Sequence, residues 1–424
     1  MPAPETTTVS PRIAEVAEAV AAGRHEVLDA FWKEVEDAGA PLMEQVGDDT
    51  SQTLVTFLWR DPGDTENALV IFFSAPTQGD LTEYRMANVP GTDLWYKSYF
   101  LPSDLRTTYL LSVNDSLEPY ESYADVMSRL PSYQPDPLNP RNNPIFGNEQ
   151  NKYIVSILEL PGAPKQPWNI ARRGVPKGKT HMHMLDSEVL ENQHHVTVHV
   201  PPGYNTDGEP YNVFLLFDGW AYYNFALIHT VMDNLLYVDR TPPYVLVMHS
   251  NLDQEVRARE LPCYPPFNDF LRQDLMPWLR ENYHVTTDPA RTVVGGSCYG
   301  GLAAAYAGFK SPDLFGNVIS QSGSFWWPGA MDSEVEDEWL TNQYEQNPAL
   351  PLRFSLEIGS LEQAICEFDP MTAHRRMRDV LVKKGYEVDY SEYVGGHDMI
   401  CWRGTLVDRL LSFHPKKSRE ASAR

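Results

Sequence analysis

The chain has 424 residues, 42% hydrophobic and 12% aromatic, enough to fill the cores of two or three domains. Its 34 Lys and Arg against 58 Asp and Glu give a formal net charge of -24, a surface that argues against nucleic acid or anionic membrane as partner. Four cysteines without a CxxC pair (Cys263, Cys298, Cys366 and Cys401) exclude a disulfide framework. With a polar, proline-bearing N-terminus that lacks a leader pattern, they set the expectation of a cytoplasmic protein with reduced thiols. The longest apolar runs, such as Val213 to Phe217, are strand-length and far short of a membrane span.

In chain order, residues 1–39 read as an extension carrying a helix from Arg12 to Glu36, on apolar spacings of three and four. The period then shortens. Leu54–Arg60, Ala68–Phe73, Leu94–Phe100 and Thr107–Val113 are short β-rich runs between Pro/Gly/Asp clusters. They predict a β-sandwich of immunoglobulin type over 40–162. Residues 163–178 form a proline-bearing connector. From 179 to 415 strands alternate with helices: strands at Val196–Val200, Val213–Phe217, Tyr244–Met248, Thr292–Val294, Phe315–Ser320, Leu352–Ile358 and Val388–Tyr393. Helices are expected over Asn268–Glu281, Met371–Lys384 and Arg403–Ser412. This is the pattern of a mostly parallel sheet covered on both faces, an α/β domain. Residues 416–424 read as a disordered charged tail.

Within that domain, Arg291-Thr-Val-Val-Gly-Gly-Ser-Cys-Tyr-Gly-Gly301 runs from a β-branched strand through a glycine turn into an alanine-rich helix. That is the context of a nucleophile elbow, whose tight turn needs small residues two before and two after the nucleophile. Ser297 would be flanked by Gly295 and Tyr299, whereas Cys298 is flanked by Gly296 and Gly300. The register therefore favours Cys298, in an α/β-hydrolase with a thiol where a hydroxyl is usual.

In that fold the acid and the histidine follow the nucleophile in the chain. Of His374, His397 and His414, only His397 lies in a glycine loop between the last strand and the last helix, so it is the expected base. Glu362 is the first carboxylate beyond the strand ending at Ile358 and is preferred as the acid over Glu357, Glu367 and Asp369. The oxyanion donors expected are the backbone N–H of Tyr299 and that of Trp220, in the turn Phe217-Asp-Gly-Trp-Ala221.

Together these blocks resemble the enterochelin (enterobactin) esterases: Val293–Leu302, Ile319–Trp327, Arg257–Cys263, Gly395–Arg403 and, in the N-terminal half, Gly91–Trp95. The resemblance covers about residues 40 to 412. It implies hydrolysis of a trilactone catecholate siderophore in the cytoplasm to release iron, with the family's serine falling on Cys298, its histidine on His397 and its acid on Glu362. No cofactor is implied.

The thiol opens a second reading. A thiolate needs less help from a base than a hydroxyl, and its acyl intermediate, a thioester, reacts readily with amines and thiols. Three readings therefore stand: ester or thioester hydrolysis, acyl transfer to a carrier-protein thiol or an amine, and a binding protein that has lost catalysis. Arg257 and Arg403 are candidates for an anionic substrate, and Trp326 and Trp402 for an aromatic acyl group. The competing expectation is an Arg257–Glu260 ion pair and core tryptophans. His181-Met-His183 puts two histidines on one strand face, which alternation explains without metal, so no metal site is expected. The partner expected is a small-molecule ester or a carrier-bound acyl group, and a homodimer is left open.

Overall fold

The structure, a computed structural model, describes residues 10–72, 80–121, 123–146, 153–328, 335–362 and 369–414. The expected tail, Cys366 and Glu367 lie outside the described residues. The chain forms two compact units. One comprises Met1–Pro164 with Ser360–Glu367 and Val394–Cys401, the other Lys165–Gly359, Phe368–Tyr393 and Trp402–Arg424.

Among the described residues the first unit holds eight strands: β1 (Leu42–Glu44), β2 (Gln52–Arg60), β3 (Ala68–Phe72), β4 (Ala87–Asn88), β5 (Leu94–Pro102), β6 (Arg106–Val113), β7 (Asn142–Phe146) and β8 (Tyr153–Glu159). They form two antiparallel sheets in the orders β1-β2-β5-β4 and β3-β6-β8-β7. The period of two decides what each residue packs against. Val55 and Phe57 of β2, Val70 and Phe72 of β3, and Tyr109 and Leu111 of β6 meet in one core. There Phe57 packs edge-on to Tyr109 with ring centroids 4.7 Å apart. The alternate residues face away. Leu58 packs under Ile13, Phe31, Trp32 and Val35 of the N-terminal helices, and Leu69, Ile71 and Leu110 join Leu81 and Leu130. Burial on both faces makes these strands read as continuous apolar runs.

The helix expected over 12–36 is two, Pro11–Ala21 and Glu26–Ala38. Gly23, at φ 81°, supplies the left-handed turn that ends the first. Two short segments from the C-terminal half complete this unit. Leu361 and Val394 pack on the sandwich core, and the Leu361 N–H donates to the Gly395 carbonyl at 2.9 Å.

The second unit holds β9 (Lys179–Ser187), β10 (Asn192–Val200), β11 (Asn212–Leu216), β12 (Tyr244–Ser250), β13 (Thr292–Ser297), β14 (Asn317–Gln321), β15 (Arg353–Gly359) and β16 (Glu387–Tyr393). Their order is β16-β15-β14-β13-β11-β12-β10-β9. Strands β11 to β16 run parallel, and β10 joins antiparallel to β12 and β9. From β11 the chain first goes to β12 on one side, then to β13 on the other. The carboxyl ends of β11 and β13 thus flank the switch point where open α/β sheets bind ligands.

The amphipathic segment expected to be one helix at Asn268–Glu281 is Pro265–Phe270, a π-turn at Leu271–Leu275, and Met276–Asn282. Pro277 lacks the N–H that would continue the ladder, which accounts for the wider turn. Among the described residues no helix is long and apolar enough to cross a membrane.

Candidate active site

Strand β13 ends at Ser297, which is 2% exposed, and the helix Tyr299–Lys310 begins two residues later. Between them Cys298 has φ 55° and ψ -124°, a backbone conformation that L-residues rarely hold and that turns the half-buried side chain off the end of the strand. The glycines on either side are sterically required. A Cβ on Gly296 would stand 2.6 Å from the Gly300 backbone, and one on Gly300 would stand 2.9 Å from Asp218 Oδ2. Hydrogen bonds fix the turn. The Cys298 N–H donates to Gln321 O at 3.1 Å, and Cys298 O accepts from the N–H groups of Gly301, Leu302 and Ser324. Ser324 Oγ lies 3.7 Å from the sulfur. Tyr299, the first helical residue, has its N–H at the positive end of the helix.

At the end of β11, Asp218 adopts a left-handed conformation (φ 56°, ψ 36°). The next residue must be glycine, because a Cβ on Gly219 would stand 2.5 Å from the Met248 backbone. Trp220 N–H donates to Ser250 Oγ at 2.8 Å, so this expected oxyanion donor is engaged within the protein. Arg257 is not paired with Glu260, as the alternative sequence reading had it. Instead it grips Asp218 with both sides of a fork, Nε to Oδ1 at 2.5 Å and Nη2 to Oδ2 at 2.7 Å. Glu260, fully buried, is held by Arg259, Asn192 and Asn251. Burial alone would lower the Arg257 guanidinium, but the Asp218 carboxylate raises it above its ordinary value. The Arg257 guanidinium also lies 5.6 Å from the centre of the Tyr299 ring.

In the other unit, His397 Nδ1 lies 2.7 Å from Glu362 Oε2. Glu362 is 1% exposed, while the His397 side chain is 33% exposed. Beside them Asp398, also buried, accepts from the Ile400 N–H at 3.0 Å and from Thr108 Oγ1 of β6. Cys401 Sγ donates to Arg106 O at 3.2 Å. The histidine loop is thereby tied to the sandwich strand β6. The rival histidines are engaged elsewhere: His374 is buried against Phe325 with ring centroids 4.9 Å apart, and His414 Nε2 pairs with Tyr244 OH at 2.7 Å, at the start of β12. The latter is the end of the sheet opposite the elbow.

The remaining candidates divide. Trp326 is half-buried, with its ring 6.2 Å from that of Tyr299. Trp402 is 5% exposed, and its Nε1–H donates to Ser322 Oγ at 2.9 Å, so it is a core side chain and not a surface for stacking. Arg403 Nε donates to Gln166 Oε1 at 2.7 Å. His181 Nδ1 and His183 Nε2 both meet Tyr283 OH, at 3.1 and 2.7 Å.

Sequence reading missed the buried Glu357 network. Glu357 accepts from Gln321 Nε2 at 2.6 Å and from Thr405 Oγ1, and faces Arg409 Nε at 3.3 Å. Burial pushes its carboxyl up to about 7, against the opposing effect of Arg409. A strand carboxylate in an apolar run is the one sequence signal that could have flagged it.

Two family profiles match the chain: "Putative esterase" over residues 187–413 and "Enterochelin esterase, N-terminal" over 54–169. It is 30% identical over 413 residues to an iron(III) enterobactin esterase of Dickeya dadantii, covering 90% of this chain and 91% of the relative. To an iron(III) salmochelin esterase of Escherichia coli it is 27% identical, covering 93% and 96%. Among solved structures, the enterobactin esterase of Shigella flexneri in the presence of enterobactin aligns with a TM-score of 0.73 at 28% identity, covering 91% of this chain and 97% of the other.

Proposed function

The chain belongs to the enterochelin esterase family, and from that premise we propose that it cleaves the ester bonds of a catecholate siderophore of the enterobactin or salmochelin type through Cys298, His397 and Glu362. The relatives' substrates supply the substrate class. The observation that carries the reading is the left-handed Cys298 between Gly296, where a Cβ would strike backbone, and Gly300, where one would crowd Asp218.

In this reading the Cys298 sulfur attacks an ester carbonyl carbon. A C–S bond forms as the thiol proton passes to His397, the ester C–O bond breaks, and His397 gives that proton to the departing alkoxide. Glu362, bonded to Nδ1, orients the ring, which assigns proton transfer to Nε2. Water, losing its proton to His397, then cleaves the thioester, and His397 hands that proton to the departing sulfur. The developing oxyanion takes the Tyr299 N–H. A second donor from Trp220 has to exchange its bond to Ser250.

A second reading rests on the thiol itself: the thioester passes to an amine or to a carrier-protein thiol instead of water. Intact-mass spectrometry with an iron(III) catecholate trilactone, with and without such acceptors, separates the two. An adduct on Cys298 that water discharges supports the esterase, and discharge only with an acceptor supports the transferase. If no adduct and no product form with either, both readings fall and a binding protein is left.

A further inference from the structure

The strained backbone of Cys298 is gripped by one short segment at the end of the neighbouring strand. Its N–H donates to Gln321 O at 3.1 Å, and its carbonyl accepts from the Ser324 N–H at 3.2 Å. Gln321 is the last residue of β14, where it stands in parallel register with Ser297. A residue at φ 55° and ψ -124° keeps that conformation only while its surroundings over-determine it. The Gln321 side chain is what fixes the gripping segment.

Gln321 is fully buried, and a buried amide is costly unless both its polar atoms are bonded. Here Oε1 accepts from Tyr222 OH at 2.7 Å. Nε2 donates to Glu357 Oε1 at 2.6 Å and also meets Trp402 O and Thr405 Oγ1, each at 3.0 Å. Burial pushes the Tyr222 phenol up, so it keeps the proton that it donates. A donor on one side and acceptors on the other leave the amide a single orientation. The partners come from three further elements: Tyr222 from the helix Gly219–Asn224, Glu357 from β15, and Trp402 and Thr405 from the helix Met399–Ser412. The next residue shares this seat. Ser322 N–H donates to Glu357 O at 2.7 Å, and Ser322 Oγ accepts from Trp402 Nε1–H at 2.9 Å.

We propose that Gln321 is a positioning residue for the nucleophile: its amide locks the end of β14, and through its main chain the backbone of Cys298, to the helix that carries Trp220. The inference rests on the reading of Cys298 as nucleophile. Gln321 acts through the bond from the Cys298 N–H and not on the reacting atoms. It holds the sulfur, and the Tyr299 N–H that follows in the chain, in the geometry that attack requires. It also joins the two segments expected to supply oxyanion donors, the elbow and the Asp218 turn, in one buried network. Loss of the amide therefore slows the chemical step and leaves substrate binding alone.

The test is steady-state kinetics with an iron(III) catecholate trilactone and with p-nitrophenyl acetate, the second so that the result does not depend on the siderophore assignment. Gln321→Met keeps the length of the side chain and removes its hydrogen bonds. It should lower kcat by about tenfold to a hundredfold on both esters, with KM within about twofold of the parent. Gln321→Glu sets a second carboxylate against Glu357 and should lose as much. Adding Glu357→Gln to it, which gives the pair back one amide, should recover most of the rate. Tyr222→Phe removes a single oxygen and should lower kcat by about threefold to tenfold, and it decides the matter if Gln321→Met does not fold. A parental kcat in Gln321→Met or Tyr222→Phe, a loss carried by KM instead of kcat, or a double variant no better than Gln321→Glu overturns the proposal. An active Cys298→Ala protein would overturn the nucleophile reading and this inference with it, whereas an inactive one beside a fully active Gln321→Met protein would overturn this inference alone.

Discussion

Thr108, in the sandwich strand β6, donates its hydroxyl to the carboxylate of Asp398, the residue next to His397. The two lie 290 positions apart and both are buried. Asp398 spends its other oxygen on the Ile400 N–H, at the start of the helix Met399–Ser412. Removing the hydroxyl leaves a buried carboxylate short of a donor, at a cost of about 1–3 kcal/mol. Thr108→Val should therefore lower the melting temperature and reduce kcat for ester cleavage, with KM little changed, while Thr108→Ser recovers both. An unchanged kcat in a destabilised Thr108→Val protein would confine the residue to a structural role.

Glu362→Gln keeps the shape of the acid and removes its charge. With Nδ1 of His397 no longer facing a carboxylate, kcat should fall by about tenfold to a thousandfold, less than in serine enzymes because a thiolate leans less on its base. Steady-state kinetics decide it, and a variant as active as the parent would remove Glu362 from the machinery.

Ser297 and Cys298 offer a paired test of register. Cys298→Ala should abolish turnover. Ser297→Ala, at a buried strand position, should cost no more than about 1 kcal/mol of stability and retain activity. The reverse pattern would move the nucleophile by one residue.

Glu357 makes stability depend on pH. Its folded carboxyl, pushed up to about 7 by burial, lies above the ordinary value of 4.5, so the folded state binds the proton more tightly than the unfolded chain does. Its contribution is complete below about pH 4.5 and is lost as pH rises through 7, a span worth about 3 kcal/mol. Glu357→Gln should flatten the loss of unfolding free energy between pH 5 and pH 7.5 in urea titrations. Arg409 keeps Asp389 as a partner at 2.7 Å in that variant. If the pH slope persists in Glu357→Gln, another group sets it.

What the sequence revealed follows the range of the forces involved. The elbow was legible because its constraint is local: a Cβ at 296 would strike the backbone of 300, and one at 300 would crowd Asp218. The strands of both units were legible where burial on both faces makes an unbroken apolar run, as in β3 and β11. The Asp218–Arg257 fork was not, because it joins two segments 39 residues apart and nothing local distinguishes it from an Arg257–Glu260 pair. Trp402 was open between an aromatic-binding surface and a core side chain, and the last helix was expected to start at Arg403. It starts at Met399, and the extra turn carries the indole inward to Ser322. Glu362 could be named as the first carboxylate past β15, but its burial depends on Leu361 and Val394 seating on the sandwich core, which no local pattern encodes.

The attachment of the histidine loop to β6 bears on how such a chain can be engineered. Residues 179–415 contain the elbow and the proposed base and acid, and look like a portable catalyst. Yet the loop bearing His397 is fastened through Asp398 to Thr108 and through Cys401 to Arg106, both outside that span. A truncation that begins after the connector would keep every residue of the proposed triad and discard the fittings that hold the His397 loop still.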